Sequence, residues 1–318
     1  MDIISTLLWP IKWVVELILV TFHTLWSTLG MDPNDGLTWV LSIVGLVLVI
    51  RAALIPIFVK QIKSQRKMLE VAPQLKKIQD KYKGKKDQFS REAMSRETME
   101  MYKRTGTNPL SSCLPLLIQM PIFFALFSVL NDAQHEKAGG GVGLLNEALA
   151  RSFGESSLFG APLKATFINN DGIVLVQIFA ATMIVLMTAS QFITQLQIMS
   201  KNQSPEAKNS PMFKQQKMLL YILPLVFAVS GVAFPLGVMF YWLTSNFWTM
   251  GQQFLVIRNM PTPGSEAAKA REARLAKRGK GELPAADGTT IVIDDTAKNT
   301  QRQQPLNKNR AKKQDDKK

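Results

Sequence analysis

GLTWVLSIVGLVLVIRAALIPIFVK, residues 36–60, decides how this chain is read. Between Gly36 and Val59 the only ionisable side chain is Arg51. A bilayer core is about 30 Å thick and takes about 20 apolar residues to span, so the stretch is long enough to cross. At 1.5 Å per residue Arg51 lies roughly 12 Å inside the Val59 end. A cation at that depth costs about 2.5–3.5 kcal/mol even on lenient insertion scales, so it must face a partner or a wet cavity rather than lipid. Arg51 is therefore the first functional candidate.

Working outward, the composition is segregated. The 318 residues average 47% hydrophobic and 19% charged with a net charge of +14. The apolar residues, however, bunch into five runs at about 37–59, 110–130, 172–195, 217–233 and 235–257. This pattern predicts an all-α multi-pass membrane protein with a five-helix core over residues 37–257. Lys and Arg number 14 in residues 60–109, 4 in 196–217 and 15 in 258–318, against 3 in 131–171. Cytoplasmic loops carry that excess. The N-terminus is thus expected outside, the C-terminus in the cytoplasm and the segment 131–171 outside.

Residues 1–36 allow two readings. Asp2, Ser5, Lys12, Glu16, His23 and Ser27 recur at helical spacing, with Trp9, Trp13 and Trp26 among the apolar positions. That suits a helix lying in the membrane interface. An additional span is the rival. A basic start and a small-residue cleavage site, the marks of a cleaved signal, are not evident.

Residues 60–109 read as two amphipathic helices around a turn at Lys83-Gly84-Lys85-Lys86-Asp87, a hairpin of net charge +8. Met68, Val71, Leu75, Ile78 and Tyr82 share a face of the first helix, and Phe89, Met94, Met101 and Tyr102 stud the second. Orientation and lipid-headgroup contact account for much of the charge. Methionine adapts to varied surfaces, which makes Met94 and Met101 candidate contacts for a client or partner. Glycines 139–141 and Asn169-Asn170-Asp171-Gly172 punctuate the external segment, with a short helix expected near Leu144 to Phe153. Beyond residue 257 the chain turns basic and loses its aromatics, which predicts a largely disordered cytoplasmic tail with a few helical turns over 266–278.

The single cysteine, Cys113, excludes a disulfide framework and reads as a packed small hydrophobe. His23 and His135 have no ligand-spaced partners. No phosphate loop or nucleophile elbow is present, so neither enzyme chemistry, a metal nor a cofactor is expected. Inside the runs the remaining polar groups are amides and hydroxyls, including Gln119, Gln177, Gln191, Gln195, Thr182, Thr188, Ser190, Thr244, Ser245 and Asn246. No acid within the runs can pair with Arg51. One reading is a hydrated cavity whose anion arrives on a client polypeptide; the other is a hydrogen bond from Arg51 to a carbonyl freed by Pro56.

Several stretches then converge on a family. IRAALIP (residues 50–56), PQLKKIQDKY (73–82), Tyr102-Lys103-Arg104, Asn108-Pro109-Leu110, CLPLLIQMPI (113–122) and YWLTSN (241–246) resemble the YidC/Oxa/Alb family of membrane protein insertases in order, spacing and topology from about residue 37 to 257. The resemblance implies a five-helix core with a hydrophilic groove open to the cytoplasm and the lipid and closed outside, and a mobile cytoplasmic hairpin. It casts Arg51 as the groove cation, Trp242 as a groove aromatic and Gln191 as a groove glutamine; Gln119 and Asn246 complete the candidate client-binding set. It further implies nascent membrane proteins as substrates, the ribosome, the Sec translocon and anionic lipids as partners, no small-molecule substrate and a place in the bacterial plasma membrane. Neither a large external domain nor a lipid-modified N-terminal cysteine is seen, which points to a branch with a long basic tail. A small channel or transporter, and a scaffold with an RNA- or ribosome-binding tail, are the competing functions.

Overall fold

The computed structural model describes residues 3–85, 87–108, 114–134, 142–203, 205–208, 211–277, 280–284 and 290–294. Cys113, His135, the glycines 139–141 and the basic end of the tail, residues 309–313, lie outside the described residues. The chain divides into two units, residues 1–267 and 268–318.

The first unit begins with α1 (Ile3–Thr28) and α2 (Gly36–Glu70). The hairpin expected from the sequence follows as α3 (Ala72–Lys81) and α4 (Gln88–Thr105), and then comes α5 (Leu114–Gln134). α6 (Glu147–Glu155) and the two-residue strands β1 (Ser157–Leu158) and β2 (Ala161–Pro162) lead to α7 (Val174–Lys201). α8 (Pro205–Lys208), α9 (Pro211–Gly231) and α10 (Leu236–Asn259) complete the bundle. α11 (Glu266–Lys277) straddles the division, and the second unit adds β3 (Lys280–Pro284) paired antiparallel with β4 (Thr290–Asp294). By length and apolarity, Thr6–Thr28, Gly36–Ser64 and Val174–Lys201 can each cross a bilayer; Leu117–Ala133 and Leu220–Gly231 are shorter apolar stretches. The chain is thus an all-α multi-pass membrane protein with two minor strand pairs, while a count of five spans rests on the sequence.

Burial is not spread evenly along the helices. In α2, Trp39, Val40, Ile43, Leu46 and Val47 are buried, whereas none of residues 48–57 is. In α5, Ala125, Leu126, Val129, Leu130 and Ala133 are buried, whereas 117–124 are not. Val176, Ala180 and Met183 of α7 and Leu236, Val238 and Met239 of α10 join the same core. The packed core therefore occupies one end of the bundle, where α7 and α10 begin and α5 ends.

That end is closed by the segment joining α5 to α7. Asn146 caps α6, accepting from the Leu149 amide at 2.9 Å, as the first turn of a helix requires. Leu145, Phe153, Leu158, Ala161 and Leu163 turn into the core. The first two amides of α10 are satisfied by the segment itself, Leu236 donating to the Ala165 carbonyl and Gly237 to the Leu163 carbonyl, each at 3.0 Å. Gly36 at the start of α2 meets β1 so closely that a Cβ would lie 2.4 Å from the Ser157 carbonyl group. α1 joins the cap as well. Its buried Glu16 accepts from the amides of Val142 (2.8 Å) and Gly143 (2.7 Å), and Lys12 lies 3.8 Å from Asp132 at the end of α5. Lys12 and Glu16 of the polar stripe of α1 are thus spent on partners within the protein.

The hairpin has its own small core of Met68, Val71, Ile78, Met101 and Tyr102, with Leu75, Tyr82 and Met94 packed against it. Val71 breaks α2 from α3, with Pro73 in the first turn of α3, where its missing amide costs nothing. Asp87 caps α4 through the Ser90 amide at 2.8 Å, and Gly106 ends it in the left-handed region at φ 61°. Lys81 and Glu97 bridge the two helices at 2.8 Å. That bond holds the Glu97 carboxyl below its usual range and the Lys81 ammonium above its own; the Ser90 amide likewise holds Asp87 down. The carboxylate contributions are present above the unfolded carboxylate range and lost as pH falls through the depressed folded values. The lysine contribution is complete below its unfolded value and lost only as pH rises past the raised one. Amide protection factors in α3 and α4, taken relative to the intrinsic exchange rate at each pH, should therefore stay level from about pH 5 to 9 and fall below about pH 4.

Candidate functional site: a polar set inside the helical bundle

The half of the bundle away from that apolar core holds the polar candidates. From α2, Arg51 donates through Nη2 to the Ser245 hydroxyl of α10 and lies 5.8 Å from the Phe58 ring, seven residues on along the same face. No carboxylate among the described residues pairs with it. The recorded bond goes to a side chain of another helix, not to a carbonyl freed by Pro56. One turn back along α10, the Tyr241 hydroxyl accepts from Gln119 Nε2 of α5 at 3.0 Å. α10 thereby joins α2 and α5 through Tyr241 and Ser245.

Its neighbouring face looks towards α7 and α9. There a cavity of about 200 Å³ is lined by Gln191, Thr194, Gln195, Pro224, Phe227, Asn246 and Thr249. The Thr194 and Thr249 hydroxyls are spent on the carbonyls one turn back, Ser190 and Ser245. Asn246 reaches the Met187 carbonyl at 3.5 Å. The buried Gln191 Oε1 has no protein partner, a cost of about 1–3 kcal/mol for a site with nothing to offer it. The cavity is thus walled largely by amide and hydroxyl side chains, beside Pro224 and Phe227.

Four of the five sequence candidates thus fall into two sets on adjacent faces of α10. Arg51 and Gln119 lie on one side, Gln191 and Asn246 on the other. Trp242 belongs to an aromatic cluster with Phe227 (4.8 Å), Phe234 (5.5 Å) and Phe123 (5.7 Å), and so backs the cavity wall through Phe227. Thr194 and Thr249 were not singled out from sequence, although Gln191-Thr194-Gln195 and Asn246-Thr249 repeat at helical spacing and mark one face each. Met101 is 3% exposed and Met94 is packed against the same hairpin core. The amphipathic face that carries them is consumed by the α3–α4 contact instead of being offered outward. Replacing Tyr241 by phenylalanine strands the Gln119 amide. It should lower thermal stability in detergent by about 0.5–1.5 kcal/mol, with Gln119→Leu in the same background restoring part of it.

No group of three His, Cys, Asp or Glu side chains is placed to hold a metal among the described residues. Fold and site together define a polytopic helical membrane protein with polar groups gathered within one half of its bundle. A family model described as 60Kd inner membrane protein matches residues 31–263, and the chain belongs to that family. A relative from Tropheryma whipplei (strain Twist), named membrane protein insertase YidC, is 45% identical across 98% of this chain and 97% of its own length. One of the same name from Streptomyces avermitilis is 47% identical across 84% of this chain and 61% of its own. Among solved structures, an active YidC insertase crystal structure with its first transmembrane domain resolved is 24% identical, with a TM-score of 0.47, covering 80% of this chain and 47% of that one.

Proposed function

We propose that this protein inserts membrane proteins into the bacterial plasma membrane by lending the hydrophilic part of a client a polar, cationic path beside α10. The observation that carries the proposal is Arg51, a guanidinium within a membrane-length helix whose partner is a neutral hydroxyl. Its charge is left for an acid on an arriving chain. Burying polar groups in hydrocarbon without partners costs several kcal/mol each, and Gln119, Gln191, Asn246 and Trp242 are the groups offered to reduce that cost. The apolar helix of the client leaves laterally, gaining about 0.8 kcal/mol per buried CH₂. No nucleotide, cofactor or chemical reaction enters this scheme. The relatives named membrane protein insertase point the same way.

The core covers residues 37–257, with the polar half facing the cytoplasm, the N-terminus outside and the basic tail from 258 inside. In this arrangement α1 lies along the outer interface. Its Lys12 and Glu16 meet the end of α5 and residues 142–143, which supports that reading, while its length and apolarity keep an additional span as the rival. Nascent chains on ribosomes, the Sec translocon and anionic headgroups are the proposed partners of the tail and hairpin. Met94 and Met101 reach a client only when α3 and α4 part, and a cleft of about 600 Å³ between those helices, lined by Gln74, Lys77, Glu97, Glu100 and Arg104 among others, is where parting would begin.

The test is insertion of a short single-span client with an acidic tail into vesicles holding this protein alone. Insertion well above protein-free vesicles, falling when the tail acids become amides, is expected. Insertion equal to that of protein-free vesicles would remove the insertase reading or make a partner obligatory; equal insertion of acidic and amide tails would remove the cation's role alone.

A further inference from the structure

At the turn between β1 and β2 a phenylalanine occupies a position that sequence chemistry ordinarily gives to Asn, Asp or Gly. Phe159 has φ 52° and Gly160 φ 88°, the paired positive values of the tightest hairpin turn. An aromatic residue is uncommon there, and this one is 78% exposed. The tip cannot fold back to hide it. Leu158 and Ala161 pair across the hairpin and are buried in the core, Leu163 donates to the Ser156 carbonyl at 3.0 Å, and the Gly36 backbone presses on β1.

The ring points along α7. It lies 6.5 Å from the Phe179 ring, at an interplanar angle of 10°. Beside Phe179 runs the most exposed apolar stripe of that helix, Val174, Ile178 and Val185, at 65%, 57% and 65% exposure. In a helix long and apolar enough to cross a bilayer, such a stripe faces lipid. A second tip repeats the pattern. Ile168 is 63% exposed in the tight turn closed by Thr166 and Asn169, just before α7 begins.

We propose that Phe159, with Ile168, is a lipid-dipping anchor: the tips of the cap enter the leaflet at the N-terminal end of α7 and continue its lipid-facing stripe beyond the helix. Aromatic side chains are favoured at that depth, and the exposed Lys164 between the two tips stays at headgroup level. The occupant of this surface is the bilayer, and the inference does not depend on what the protein inserts.

Full-length protein with Cys113→Ser and Phe159→Cys, carrying a nitroxide and reconstituted in lipid vesicles, tests it by relaxation with oxygen and with a water-soluble nickel chelate. Oxygen should dominate at 159 and the chelate at a Lys164→Cys control. Chelate dominance at 159 overturns the proposal, as does shielding from both reagents, which would mean a protein contact. Should the labelled variant not fold, p-benzoylphenylalanine at 159 keeps the aromatic ring. Irradiation should then give lipid adducts, and cross-linked protein in their place would overturn the anchor.

Discussion

Replacing Arg51 by alanine is expected to cut insertion of the acidic-tailed client roughly tenfold or more, while lysine at the same position keeps most of it. A unit charge pair about 4 Å apart at an effective dielectric near 20 is worth about 4 kcal/mol. Desolvation takes part of that, but about 1.4 kcal/mol remaining already corresponds to a factor of ten. Lysine retains the charge but not the fork of donors, so a modest deficit separates it from arginine. The alanine variant should be no less thermostable than the parent, because removing a cation from within a membrane-length helix relieves a burial cost and leaves only a neutral serine behind. Undiminished insertion by the alanine variant, or the same deficit with an uncharged tail, would sink the proposed role. A variant lost to misfolding decides nothing, and the lysine variant is the safeguard.

The second large effect is structural. Trp39 is fully buried; it stacks on His23 at 4.0 Å, meets Phe153 edge-on at 5.1 Å and donates to the Ser152 hydroxyl at 3.2 Å. The Pro33 carbonyl accepts from His23 at 2.8 Å and from Ser152 at 3.0 Å, tying α1, α2 and α6 around one indole. Trp39→Ala should cost about 3–5 kcal/mol, read as a drop in thermal unfolding in detergent together with faster proteolysis in residues 142–173. Trp39→Phe keeps the stack but drops the donor, and should lose closer to 1 kcal/mol. Equal losses for both would mean that the hydrogen bond, not the packing, holds the cap.

Much of this was legible in the residues. Apolar runs located the helices because hydrocarbon length is a direct constraint, and the short helix expected near Leu144 to Phe153 appears as α6. Helix ends were less legible. The run at 37–59 stops at Lys60, yet α2 continues to Glu70 through Gln61, Lys63 and Lys67, since charge ends apolarity without ending a helix. The β3–β4 pair in a segment expected to be largely disordered was not anticipated; TIVID, residues 290–294, is a β-branched run. In the site, residue types announced Arg51, Gln119, Gln191 and Asn246 as unusual. Their division between two faces of α10 depends on how α10 rotates against its neighbours, which one sequence does not encode locally. Met94 and Met101 show the same limit: an amphipathic face is visible in sequence, but whether it meets a partner or its own sister helix is not.

The one-sided core has an electrical corollary. Polar groups that extended through the whole bundle would make a water wire, and a water wire leaks protons. Here the polar half meets a dry plug of Leu145, Phe153, Leu158, Leu163, Leu236 and Met239, sealed where the first amides of α10 bond to the cap. A single charge crossing a membrane potential of 100 mV is worth about 2.3 kcal/mol, and in the proposed scheme that potential can pull on a client's charged tail only while the membrane around it stays insulating. On the proposed function, the plug would let a polar notch exist in an energised membrane without discharging it.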